Sequence, residues 1–182
     1  VLATSRHESA AQVVSDVSLG AHDDEHAVLA FADGCDVVTF DHEHVPGPIL
    51  EKLEARGVAV RPGPRALITA QDKAVMRRPL EGVGAPAPAW RIVESPTQAQ
   101  DFAQTVGYPF ILKASRGGYD GKGVWRVESA SHLDAVMSQP LPPGAVWLAE
   151  AAVPFTQELS AQVARSPSGQ TAAYPVVRTV QT

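Results

Sequence analysis

Cysteine is nearly absent from this chain. Of 182 residues only Cys35 is one, which excludes a disulfide within the chain and leaves a small side chain to pack in the apolar stretch GCDVVTF. Long apolar runs are missing as well: the longest, such as AVWLAEAAVPF, are broken by charge or proline far short of the roughly 20 residues of a membrane-spanning helix. The opening residues lack the basic segment and apolar core of a secretory leader, so the expected setting is the cytoplasm. Positive charge is scarce too, with 15 lysines and arginines against 20 acids and a formal net charge of −5. That balance excludes a general attraction to nucleic acid or anionic membrane, so a phosphate site here has to gather its own few lysines. No internal repeat is visible, and neither the P-loop nor the dinucleotide-binding glycine spacing occurs.

What the sequence does hold is an alternation of helical and strand-like segments. VLATSRHESAAQVV offers no complete strand ahead of its first helical pattern and reads as the continuation of a sheet whose first strand is missing or clipped. DDEHAVLAFADG has helical apolar spacing, an acidic first turn and a closing glycine, and DVVTF follows as a short strand. GPILEKLEARG and VAVRP repeat the pair, so an open parallel α/β sheet is expected up to about Pro64. ALITAQDKAVMRRPLEGVG reads as one helix over residues 65–81, kinked or divided at Pro79. After the connector APAPAW comes an α+β unit: strand WRIV, a helix with Ser95 at its N-cap, strand FILKAS, strand GVWRVE, helix SASHLDAVMSQ and strand AVWLAEA. ELSAQVARSPSGQTAAYPVV alternates apolar and polar residues about SPSG, which predicts a β-hairpin in a sheet that the chain leaves unfinished.

The most unusual stretch is RGGYDGKGV, residues 116–124, which places four glycines between two strands. Glycine has the most backbone freedom to lose, so four together suggest a task that side chains would obstruct, such as lying over phosphates with bare N–H groups. The alternative is a surface hairpin with turn glycines. Lys113 sits inside the apolar strand just upstream, where an unpaired ammonium is costly to bury; either an anion meets it or it snorkels out of the sheet. Downstream, Glu150 ends one strand and Glu158 opens the next, where a carboxylate can accept from ribose hydroxyls or simply face water. His42 and His44 share one face of DHEH with no further ligands nearby, and His22 and His26 read as a solvated helix start. Arg77 and Arg78 form a basic helix end from which Arg77 could reach phosphates, and Trp90, Trp125 and Trp147 read as core aromatics.

Together, QDK at residues 71–73, GYPFILKASRGGYDGKGV, WLAEAAVPFTQELSAQVARSPSG and YPVVRTVQT resemble the ATP-grasp ligases, and among them the N5-carboxyaminoimidazole ribonucleotide synthases. TFDHEHVP is similar to the segment closing the N-terminal domain of that family, with Asp41 in place of its first acid. The resemblance spans nearly the whole chain. It implies a partial ATP-grasp fold, mixing α/β and α+β: the end of a Rossmann-like N-terminal domain over residues 1–63 and a helical connector over 64–85. A lid subdomain with the glycine-rich flap then covers 86–153, and the start of the C-terminal ATP-grasp sheet covers 154–182.

The resemblance further implies that ATP and Mg²⁺ are bound, with Lys73 and Lys113 on the phosphates. Gly118, Tyr119, Asp120, Gly121, Lys122, Gly123 and Val124 would form the flap. Glu150 and Val153 would meet adenine and ribose, Glu158 the ribose hydroxyls, and Gln181 would stand by the nucleotide where many relatives have histidine. Glu43, Asp120 and Lys122 would face the second substrate, Asp120 and Lys122 as catalytic candidates. The implied reaction is ATP-dependent carboxylation of 5-aminoimidazole ribonucleotide by bicarbonate, through carboxyphosphate, in purine biosynthesis, by a homodimer with no nucleic-acid or membrane partner. A glycine-rich turn before Val1 and the Mg²⁺-binding acids after Thr182 are the family elements this stretch lacks, so it is expected to be inactive alone. The competing readings are a formate-dependent purine transformylase of the same superfamily and a non-catalytic ATP-binding regulatory module.

Overall fold

The computed structural model describes residues 1–118 and 122–180. The chain divides into two units, Val1–Ala151 and Ala152–Thr182.

The first unit opens with β1 (Leu2–Ala3), α1 (Ser9–Val13), β2 (Ser18–Leu19), α2 (Glu25–Ala32), β3 (Val37–Val38), α3 (Gly47–Ala55) and β4 (Ala59–Val60). β1 pairs in parallel with β2, and β3 in parallel with β4. β1 is a two-residue segment at the start of the chain, and β2 is a short strand that its polar surroundings concealed. Asp24 caps α2, its carboxylate accepting from the N–H groups of His26 and Ala27, and Gly57 lets the chain leave α3 at a φ of 84°. The apolar faces of α2 and α3 meet β3 and β4 around Leu50, Leu53 and Val60, all without exposure. Each such side chain contributes about 1.5–3 kcal/mol on burial.

The helix expected over residues 65–81 is two helices, α4 (Pro64–Gln71) and α5 (Lys73–Gly82). The break falls at Asp72, not at Pro79. Asp72 has extended backbone, and its side chain accepts from the N–H groups of Ala74 and Val75, restarting the helix. Pro79 stays inside α5, since its fixed φ suits a helix and only one backbone bond is forfeited.

The α+β part of this unit follows as β5 (Trp90–Val93), α6 (Pro96–Val106), β6 (Phe110–Ala114), β7 (Val124–Val127), α7 (Ala130–Met137) and β8 (Trp147–Ala151). They build a four-stranded antiparallel sheet in the order β5-β8-β6-β7. Ser95 caps α6 by accepting from Gln98 N–H, as its position suggested. One face of the sheet carries Val93, Phe110, Leu112, Val127, Trp147 and Ala149 against Phe102 of α6 and Leu133 of α7. Trp125 packs on this core with its ring centroid 5.0 Å from that of Trp147. Trp90 is different: it pairs with Glu150 on the other face, and its indole N–H donates to Glu81 at 2.8 Å.

The second unit has β9 (Glu158–Ser160), β10 (Val163–Arg165), β11 (Thr171–Ala173) and β12 (Val177–Thr179). β10 and β11 form the expected hairpin about the SPSG turn, where Gly169 takes a φ of 89°, and β9 pairs antiparallel with β12. No helix among the described residues is long and apolar enough to cross a membrane.

Candidate nucleotide site

Strand alternation decides which side chains leave the core. With Phe110, Leu112 and Ala114 turned inward, Ile111 and Lys113 emerge on the opposite face of β6. On β8 the residue opposite Ile111 is Glu150, so Lys113 and Glu150 are diagonal neighbours, a spacing that long side chains bridge. Lys113 Nζ donates to Glu150 Oε2. From α5, Arg77 donates through Nε at 2.8 Å and also through Nη2 to the other oxygen, Oε1. Glu150 is only 3% exposed and is thus held between two cations. Burial pushes its carboxyl up, but the hydrogen bonds and charges of Lys113 and Arg77 outweigh that and hold it below its ordinary value.

The three residues QDK make a junction, each tying down a different segment. Gln71 donates its side-chain amide to the carbonyls of Glu43 and Val45 at 2.5 and 2.8 Å, anchoring the DHEH segment. Asp72 caps α5 and accepts from Arg116 Nε at 2.7 Å, reaching the root of the glycine loop. Lys73 donates its backbone N–H to Ser115 at 2.9 Å and its Nζ to Ala114 at 3.4 Å, both backbone carbonyls at the end of β6.

The described ends of the glycine-rich stretch, Gly118 and Lys122–Gly123, lie against this junction. Ala114 N–H donates to Gly123 O at 2.9 Å, carrying the β6–β7 ladder one step past the Lys113–Val124 pair. Gly118 is confined: a Cβ there would lie 2.8 Å from Lys122 O and 3.4 Å from Lys73 Nζ, so the ammonium of Lys73 rests against bare glycine backbone. Any other residue would fill that cradle. Gly123 takes a φ of 73° and Val124 is exposed, as is Lys122.

Lys73, Lys113, Gly118 and Glu150 thus gather in the first unit, with Glu43 half-buried and tethered through Gln71. Val153 and Glu158 lie exposed in the second unit, Glu158 at the start of β9. Tyr119, Asp120, Gly121 and Gln181 fall outside the described residues. The rings of His42 and His22 meet edge-on at 4.8 Å, with His44 5.3 Å from His42. Among the described residues no group of three His, Cys, Asp or Glu is placed to hold a metal. Sequence reasoning missed the roles of Gln71, Asp72, Arg116 and Ser115. Only Asp72 carried a local signal, an aspartate directly ahead of a helical run.

A family model described as the ATP-grasp domain matches residues 78–182, and one described as the ribonucleotide synthetase preATP-grasp domain matches residues 1–71. The chain is 48% identical over 181 residues to the N5-carboxyaminoimidazole ribonucleotide synthase of Mycobacterium tuberculosis, covering all of this chain and 42% of that protein. It therefore spans less than half the length of this relative. An ADP complex of an N5-carboxyaminoimidazole ribonucleotide synthetase superposes with a TM-score of 0.87 at 30% identity, over all of this chain and 47% of that one. The Aspergillus clavatus synthase, solved with ADP and 5-aminoimidazole ribonucleotide, gives 0.80 at 29% identity, over 93% of this chain and 43% of that one. Both of its halves match a family model, and the chain belongs to the ATP-grasp family.

Proposed function

We propose that the protein carrying this chain uses ATP to carboxylate 5-aminoimidazole ribonucleotide with bicarbonate, giving N5-carboxyaminoimidazole ribonucleotide. The observation that carries the reading is the meeting of Lys73 and the Gly118 cradle at the end of the strand that bears Lys113, in a chain 48% identical to an enzyme of that name. A bicarbonate oxygen attacks the γ-phosphorus and ADP leaves, forming carboxyphosphate. The exocyclic amine of the ribonucleotide then takes the carboxyl group, directly or as released CO₂, and phosphate departs.

The chain's residues supply charge and exclusion of water. Bicarbonate and a triphosphate repel one another, so cations fixed beside the phosphates lower the barrier to their meeting. Lys73 and Lys113 fill that role, with the bare backbone around Gly118 admitting phosphate oxygens at close range. Carboxyphosphate hydrolyses readily, so the glycine-rich stretch is assigned the work of a cover, with Lys122 and Asp120 as the candidate catalytic groups. Glu43, held by Gln71, faces the ribonucleotide. Mg²⁺ is proposed to enter as the counter-ion of ATP. A cytoplasmic homodimer completes the proposal.

The test is ADP release by the full-length protein with each acceptor and acid in turn. Release that needs 5-aminoimidazole ribonucleotide and yields the N-carboxylated product with bicarbonate is the expected result. Stimulation by formate and a glycinamide ribonucleotide would replace the reading with a transformylase; nucleotide binding with no ADP under any combination would replace it with a regulatory module.

A further inference from the structure

The Glu150 cluster contains more charge than a nucleotide contact requires. Arg77 gives both Nε and Nη2 to one oxygen of Glu150, so its donors on that edge are committed to the carboxylate. Lys113 gives its ammonium to the other oxygen. Two cations and one anion leave a single positive charge, and the group with more exposure to present it is Lys113, at 24% against 15% for Arg77.

Without Arg77, Glu150 would hold Lys113 in a neutral pair, its whole charge consumed inside the sheet. With Arg77 in place the carboxylate is already balanced, and it becomes a rest that orients the Lys113 ammonium without cancelling it. We infer that Arg77 is a positioning residue: it neutralises Glu150 from α5 so that Lys113 on β6 keeps a net charge for an incoming nucleotide phosphate. The inference rests on the nucleotide-site reading above. It also ties the orientation of α5 to the charge of the site, because Arg77 reaches β8 from a helix whose first turn is fixed by Asp72.

The experiment is a double-mutant cycle in the full-length protein, read as ADP affinity by calorimetry, with ADP as the probe because it carries phosphates and is not turned over. Arg77→Met should weaken ADP binding by roughly tenfold or more, the scale of one charge-assisted hydrogen bond, whereas Arg77→Lys, which keeps the charge, should recover most of it. In a Glu150→Gln background there is no carboxylate to balance, so adding Arg77→Met should change affinity by no more than about threefold. An arginine that acted on the nucleotide independently of Glu150 would cost the same in both backgrounds, and that result overturns the inference; an Arg77→Met loss that Arg77→Lys does not recover would mark a structural role and overturns it as well. If Arg77→Met alone does not fold, the double variant decides, because it leaves no unpaired anion in the sheet: a Kd about tenfold weaker than that of Glu150→Gln also overturns the inference, and a Kd within about threefold supports it. Wild-type protein that fails to bind ADP at all would instead refute the nucleotide site itself, and the inference with it.

Discussion

Replacing Lys113 by methionine separates the contact its ammonium makes with Glu150 from the one proposed for it with a nucleotide phosphate. Methionine keeps most of the volume and the unbranched stem, so packing beside its same-face neighbours Ile111 and Leu148 changes little and the perturbation is one of charge. The first consequence falls on stability. Glu150 is 3% exposed and would lose the donor to Oε2 while keeping both Arg77 donors on Oε1. The cost is therefore that of one unsatisfied buried acceptor, about 1–3 kcal/mol, rather than the roughly 3–5 kcal/mol of a buried charge left with no partner. The second consequence falls on the nucleotide. Loss of a hydrogen bond from a charged donor weakens binding by about 1.5–3 kcal/mol, or roughly 10- to 150-fold in Kd. Because Lys113 is already engaged with Glu150 before any phosphate arrives, the low end of that range is expected. Calorimetry with ADP and a thermal melt of the same samples measure the two terms independently. A lowered Tm with an unchanged Kd would refute the reasoning, since Lys113 would then be only a structural partner of Glu150.

Two further outcomes follow from the same site. Gly118→Ala should raise the KM for ATP and also lower the Tm, because its Cβ would stand 2.8 Å from the backbone oxygen of Lys122 and 3.4 Å from Lys73 Nζ, so that loop backbone has to shift beside Lys73; a lowered Tm with equal kinetics would show that the glycine only shapes a turn. The stability gap between wild type and Glu150→Gln should be full above the ordinary glutamate value of about 4.3 and shrink as pH falls below it, since a carboxyl held low in the folded state by Lys113 and Arg77 loses its advantage once protonated. Melting curves from pH 7 to acid measure this, and a gap that does not narrow means that Glu150 is not ionised in the fold.

Local chemistry made much of this molecule legible. Ser95 and Gly57 marked helix ends because capping and positive φ are demands a short sequence can state. The SPSG hairpin was legible for the same reason. Lys113 stood out because a charge in an apolar strand requires a partner, and the partner exists. Its identity was not legible: Lys113 and Glu150 are 37 positions apart, Arg77 and Glu150 are 73 apart, and nothing local to any of them announces the others. The break between α4 and α5 was hidden because Pro79 offers a louder signal than Asp72. The cap prevails there because Asp72 satisfies two helix N–H groups and an arginine together. Trp90 escaped the core reading because alternation assigns faces only once register is known.

The strand order β5-β8-β6-β7 also bears on how the chain is made. β8 is the last of the four strands to leave a ribosome, yet it lies between β5 and β6 and pairs with both. Until Trp147 and its successors emerge, β5 has no neighbour, whereas β6 and β7 can already zip as a local hairpin. Lys113 therefore exists for a time in a nascent hairpin without Glu150, and the charge cluster is assembled by the same event that completes the sheet. A chain stalled before residue 147 would hold Lys113 and Arg77 without the carboxylate that both of them meet in the finished sheet.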